Sequence, residues 1–103
     1  MAVFRVNKTN NFTVMSNHHF KNRKLSLKAM GLLPLMLSLP DTWDYSLKGL
    51  SVICSDELSS VRAGIEELEK HGYVIRERKR DVHGRLADTE YSIFEVPQTT
   101  TQV

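Results

Sequence analysis

The stretch Leu50–Val74, LSVICSDELSSVRAGIEELEKHGYV, decides the fold. Within it Leu58, Val61, Ile65 and Leu68 recur at intervals of three, four and three, which sets them on one stripe of an α-helix. His71-Gly72 ends that helix, because glycine adopts the left-handed conformation of a helix terminus without a Cβ clash. Ahead of it, Cys54-Ser55-Asp56-Glu57 supplies a turn and capping side chains, and its acids suit the positive end of the helix dipole. Working back, Ser46 is an N-cap for a two-turn helix over Leu47–Ile53, with Leu47, Leu50 and Ile53 on one face. Working forward, Tyr73–Arg80 and Thr89–Val96 have the β-branched and aromatic content of strands, separated by turn chemistry at Asp81-Val82-His83-Gly84-Arg85.

Further out, Leu25, Ala29, Leu32, Leu33, Met36, Leu37 and Leu39 follow helical spacing, with Ser26 as N-cap. Pro34 lies inside this first helix. It removes the hydrogen bond to the carbonyl of Met30, so a kink or an early stop is expected there, and Gly31 loosens the same region. Phe12-Thr13-Val14-Met15 reads as a short extra strand. Residues 1–11 lack periodicity and read as a flexible arm, 12–96 as one domain, and 97–103 as a disordered tail or the start of a linker. The order helix, helix, helix, strand, strand predicts an α+β winged helix-turn-helix, a three-helix core followed by a two-stranded hairpin wing.

The composition bounds the function. A chain of 103 residues with 41% hydrophobic and 25% charged residues makes one soluble domain with a small core, too small for a multi-domain enzyme. The single cysteine, Cys54, excludes an intrachain disulfide framework and suits a reducing cytoplasm. The most apolar run, Ala29–Leu39, is broken by Pro34 and Ser38 and falls short of the ~20 residues of a membrane span, so no membrane partner is expected. Lys21, Arg23 and Lys24 precede that run as in a signal peptide, but the run begins too late in the chain. No Gly-x-Ser-x-Gly, phosphate-cradling loop or Gly-x-Gly-x-x-Gly occurs, so neither an enzyme nor a cofactor is expected. His18 and His19 would diverge in an extended segment, Cys54 and His71 sit at helix ends, and the spacing fits no metal-ligand pattern.

Charge is distributed unevenly. Residues 1–40 hold six Lys/Arg and no acid; residues 41–103 hold eight Lys/Arg against twelve acids, with five of the eight between Arg76 and Arg85. A helix fits the DNA major groove and a hairpin beside it can follow the backbone. Ser59, Ser60 and Arg62, near the start of the third helix, are therefore candidate base or phosphate contacts, with Arg62 suited to a bidentate guanine contact. On the wing, Arg76, Arg78 and Arg80 alternate onto one strand face, with Lys79, His83 and Arg85 nearby, and Lys21, Arg23 and Lys24 can clamp a second stretch of backbone. Other features point the opposite way. Asp56, Glu57, Glu66, Glu67 and Glu69 outnumber Arg62 and Lys70 by five to two on the third helix, and Glu77 and Asp81 dilute the wing. A winged helix used for protein contacts or dimerisation has the same composition, and charge on an edge strand guards against aggregation. Trp43 and Tyr45 are expected to seal the space between helix and wing.

Beyond the fold, Phe12–His19, Leu25–Leu33 and above all Leu37-Ser38-Leu39-Pro40-Asp41-Thr42-Trp43-Asp44-Tyr45-Ser46 carry a more specific likeness. The chain resembles the N-terminal domain of phage and mobile-element replication proteins, the replisome organisers and DnaD-like primosomal proteins of Gram-positive bacteria. The resemblance covers about residues 12–96. It implies a role in replication initiation, double-stranded origin or template DNA as ligand, and a helicase loader or primosome protein as partner. A small transcriptional regulator, and an interaction module that forms a homodimer without binding DNA, stand beside it as alternatives.

Overall fold

The computed structural model describes residues 11–40 and 42–97, with residues 87 and 88 described by their backbone alone. The expected arm and tail lie, apart from Asn11 and Pro97, outside the described residues. A single 3-10 turn at His19–Lys21 leads into helices α1 (Leu27–Ser38), α2 (Leu47–Ile53) and α3 (Leu58–Lys70), then strands β1 (Val74–Arg80) and β2 (Leu86–Ile93). The strands form an antiparallel hairpin in the register Val74↔Ile93, Arg76↔Tyr91 and Arg78↔Thr89. This is the α+β arrangement of a winged helix.

Local chemistry sets the boundaries. Ser26 and Ser46 cap α1 and α2, their hydroxyls accepting from the amides of Ala29 at 3.3 Å and Gly49 at 2.9 Å. Gly72 closes α3 at φ 87°, a conformation that disfavours any side chain. α1 does not stop at Pro34 but runs on to Ser38. The Met30 carbonyl that Pro34 leaves without a helical donor instead receives the Nε2–H of His19 at 2.9 Å. His19 is therefore not part of an extended segment: it is fully buried in the 3-10 turn and satisfies the proline's missing bond.

The core gathers Leu25 and the inner face of α1 (Ala29, Leu32, Leu33, Met36), Leu50 of α2, Val61, Ile65 and Leu68 of α3, and Tyr73 and Val74 at the base of the wing. The α3 stripe holds except at its first member: Leu58, in the opening turn, is 41% exposed. On α2, Leu50 is buried and Leu47 half-buried, whereas Ile53 faces solvent. α1 crosses α3 at Gly64, where a Cβ would stand 2.9 Å from Leu32 Cδ2. Trp43 and Tyr45 seal the wing base as expected: Tyr45 stacks on Tyr91 of β2 at 5.6 Å, and Trp43 meets Tyr45 edge-on at 5.0 Å.

Two strand expectations change. Phe12–Met15 form no strand; Phe12 and Val14 are exposed, and the segment is held by the Ser16 amide donating to the Glu95 carboxylate rather than by a ladder. β2 starts at Leu86 rather than Thr89 and ends at Ile93 rather than Val96. The register shifts between Arg78 and Arg80, where Arg80 pairs with Leu86, a bulge that adds twist near the tip.

Candidate nucleic-acid interface

With the core on one side of α3, its opposite side presents Ser59, Arg62, Ala63, Glu66 and Lys70, all exposed. At 100° per residue these five form one stripe, and Glu67 and Glu69 fall on its two margins. Both marginal acids have partners in the fold, but only Glu69 is neutralised by one. Glu67 accepts the Ser26 amide at 2.5 Å and the Ser26 hydroxyl at 2.6 Å, bonds that hold its carboxyl below the usual glutamate range. Glu69 accepts both Nε and Nη2 of Arg76, at 2.9 and 2.8 Å, in a bidentate pair that raises the already high pKa of the guanidinium. Of the five acids read from the sequence, one, Glu69, is neutralised by a cation; Glu67 and Asp56 accept only from serine groups and keep their charge, and Glu66 stands exposed on the stripe beside Arg62. Glu67 ties α3 to the segment before α1, and Glu69 ties it to the wing.

The segment before α1 is a second fixed element. Asn22 and Leu25 turn inward while Lys21, Arg23 and Lys24 stay exposed. Tyr73, fully buried, holds it from below: its hydroxyl lies 2.9 Å from His18 Nδ1 and accepts from Asn22 Nδ2 at 3.3 Å. Asn22 Oδ1 in turn accepts the Lys24 amide at 3.0 Å. Among the described residues no carboxylate pairs with Lys21, Arg23 or Lys24.

The wing is different in kind. Arg76 is half-buried, bound to Glu69 and placed 5.9 Å over the Tyr91 ring, so it braces the strand against α3 rather than presenting its charge to solvent. Lys79 lies on the other strand face, 3.3 Å from Glu90 and 3.5 Å from Glu77. The tip is closed by local hydrogen bonds. Asp81 accepts the amides of His83 and Arg85 at 2.9 and 3.0 Å, and Arg80 donates to the Gly84 carbonyl at 2.8 Å. His83 and Arg85 remain exposed, with Arg85 Nε 3.4 Å from Asp81.

Of the residues expected to act together, Ser59 and Arg62 lie on the outer stripe, but Ser60 does not. It is half-buried on the α1 side of α3, its hydroxyl donating to Asp56 at 3.1 Å. Asp56 thereby serves Ser60, and Glu57, the N-cap residue, makes no side-chain cap. Glu67 and Glu69 entered the sequence reading only as charge, Asp81 as charge and turn, and Tyr73 as the start of a strand. The helical projection already put both glutamates at the margins; their partners lie 41 and seven residues away, beyond any local pattern.

Among the described residues no group of three or more His, Cys, Asp or Glu is placed to hold a metal ion, and no helix is long and apolar enough to cross a membrane. Comparison with protein-family models, with curated proteins and with solved structures finds no match for this chain.

Proposed function

We propose that this chain binds double-stranded DNA sequence-specifically, with α3 in the major groove and the Lys21–Lys24 segment and the wing on the backbone to either side. The observation that carries the reading is the outer stripe of α3 with Arg62 exposed on it, flanked on one side by the exposed Lys21, Arg23 and Lys24 and on the other by Arg76, which neutralises the marginal Glu69. Arg62 reads a guanine and Ser59 contributes a nearby hydrogen bond, while Lys21, Arg23, Lys24, Arg78, Arg80, His83 and Arg85 supply the phosphate contacts. The resemblance of Leu37–Ser46 to replisome organisers supports phage or mobile-element replication initiation as the setting, with a helicase loader or primosome protein as partner. The ion pairs of Lys79 and Arg85 favour a second reading, a winged helix that contacts protein, because a charge-balanced hairpin attracts phosphate weakly.

Fluorescence anisotropy of a labelled duplex, titrated across a salt series, separates the two. The DNA reading expects affinity to fall steeply with salt, and Arg62→Ala to relax preference at one base pair by about 1–3 kcal/mol. Absence of salt-sensitive affinity on any duplex overturns it. Sequencing the genomic fragments the protein retains then distinguishes an origin repeat array from a promoter operator, the target of a small transcriptional regulator.

A further inference from the structure

α1 has no polar side: in LKAMGLLPLMLS only Lys28 is charged. A helix apolar all round belongs in a position covered on all sides. One line of α1 is open over its first turns and only half-covered at Leu35. Leu27, Gly31 and Leu35 follow one another at four-residue steps, Leu27 is 84% exposed, and a Cβ on Gly31 would meet nothing within 4 Å. Packing within the chain therefore does not ask for glycine at 31, although glycine in a helix interior costs about 1 kcal/mol relative to alanine. Beside this line an open cleft of about 260 Å3 runs between α1 and the start of α3, lined by Leu32, Leu35 and Val61, with Leu27, Lys28 and Asp56 also on its wall.

The patch is complementary to itself in two respects. It carries both a protruding leucine and an apolar hollow of the size to receive one, the pattern of a two-fold interface in which the same surface serves both subunits. It also carries one charge of each sign, Lys28 and Asp56, and no ion pair joins them among the described residues. We propose that this face of α1 is a two-fold interface between two copies of the chain, each seating Leu27 in the other's cleft and pairing Lys28 with the other's Asp56. The interface does not rest on the DNA reading, and the outer stripe of α3 and the wing lie outside it.

The test is sedimentation of the full chain from low micromolar to several hundred micromolar concentration. A reversible dimer is expected, and Leu27→Asp raises its dissociation constant by at least about tenfold, equivalent to 1.4 kcal/mol. Because Leu27 is exposed, the melting temperature of dilute Leu27→Asp protein stays at the parent value. Lys28→Asp and Asp56→Lys each weaken self-association, yet an equimolar mixture of the two forms a heterodimer as tight as the parent. Both opposite-charge pairs re-form across the interface in that mixture, which no pairing inside one chain can produce. A chain that stays monomeric, a dimer indifferent to Leu27→Asp, or a mixture no tighter than its components overturns the proposal.

Discussion

The two elements that flank α3, with three Lys/Arg before α1 and five on the wing, are held by opposite means. The segment from His18 to Ser26 is anchored by groups turned into the protein: His19 on the Met30 carbonyl, Tyr73 under His18 and Asn22, and Ser26 on Glu67. Its cations take no part in that anchoring and stay bare. The wing is anchored through its own charges, Arg76 on Glu69, Lys79 between Glu77 and Glu90, and Arg85 on Asp81. A cation that already faces a carboxylate releases little on meeting a phosphate, so counting Lys and Arg misjudges which flank attracts a polyanion. The difference teaches that positive potential depends on what the neighbouring acids are doing as much as on the basic residues.

The bluntest way to break this comparison is His19→Ala. It removes a fully buried side chain and orphans the Met30 carbonyl, so chemical denaturation is expected to show a loss of roughly 2–4 kcal/mol. Hydrogen exchange is expected to quicken at Phe20–Leu25 and not in the hairpin. In a Pro34→Ala background the regained amide serves the same carbonyl, and the cost of His19→Ala falls by about 1 kcal/mol. Additive losses would detach His19 from the proline.

Next in size is the comparison of salt slopes for duplex binding. Changing Lys21, Arg23 and Lys24 together to Gln removes three phosphate contacts and lowers the slope by about 2.7, worth about 40-fold between 50 and 200 mM salt. Changing Arg78, Arg80 and Arg85 together to Ala weakens binding across all sequences but lowers the slope less, because Arg85 already faces Asp81. Equal slopes for the two variants would erase the distinction between the flanks.

The smallest effect sharpens the comparison at one residue. Glu67→Gln is expected to cost no more than about 1 kcal/mol, since the carboxylate is half-exposed. The Ser26 bonds hold the folded-state pKa of Glu67 below its ordinary 4.5, so their contribution is complete above that pH and disappears as pH falls through the folded value. Parent and variant therefore differ in urea midpoint at neutral pH and converge in acid. A gap of constant size down to about pH 3 would assign the loss to something other than the carboxylate's charge.

What the sequence determined by itself was everything governed by short-range periodicity. The helices, the serine caps of α1 and α2, the Gly72 stop and the hairpin were legible because each depends on residues within about one turn of one another. The outer-stripe positions of Ser59 and Arg62 follow from the same helical spacing. The extra strand at Phe12–Met15 misled, because a β-rich tetrapeptide becomes a strand only where another strand offers an edge. The early stop expected at Pro34 does not occur, and the donor that satisfies the orphaned carbonyl comes from His19, outside the helix.

Only the tertiary structure decided which charges remain available. Glu69 reads as an open acid until Arg76 neutralises it, whereas Glu67 is fixed in place by Ser26 and keeps its charge. Arg76 reads as a wing contact until Glu69 and Tyr91 claim it, and Ser60 reads as a groove contact until the fold turns it toward α1 with its hydroxyl on Asp56. Hydrophobic spacing is written in neighbouring residues, whereas the partner of a charged side chain is selected by proximity in space, which the chain acquires only on folding.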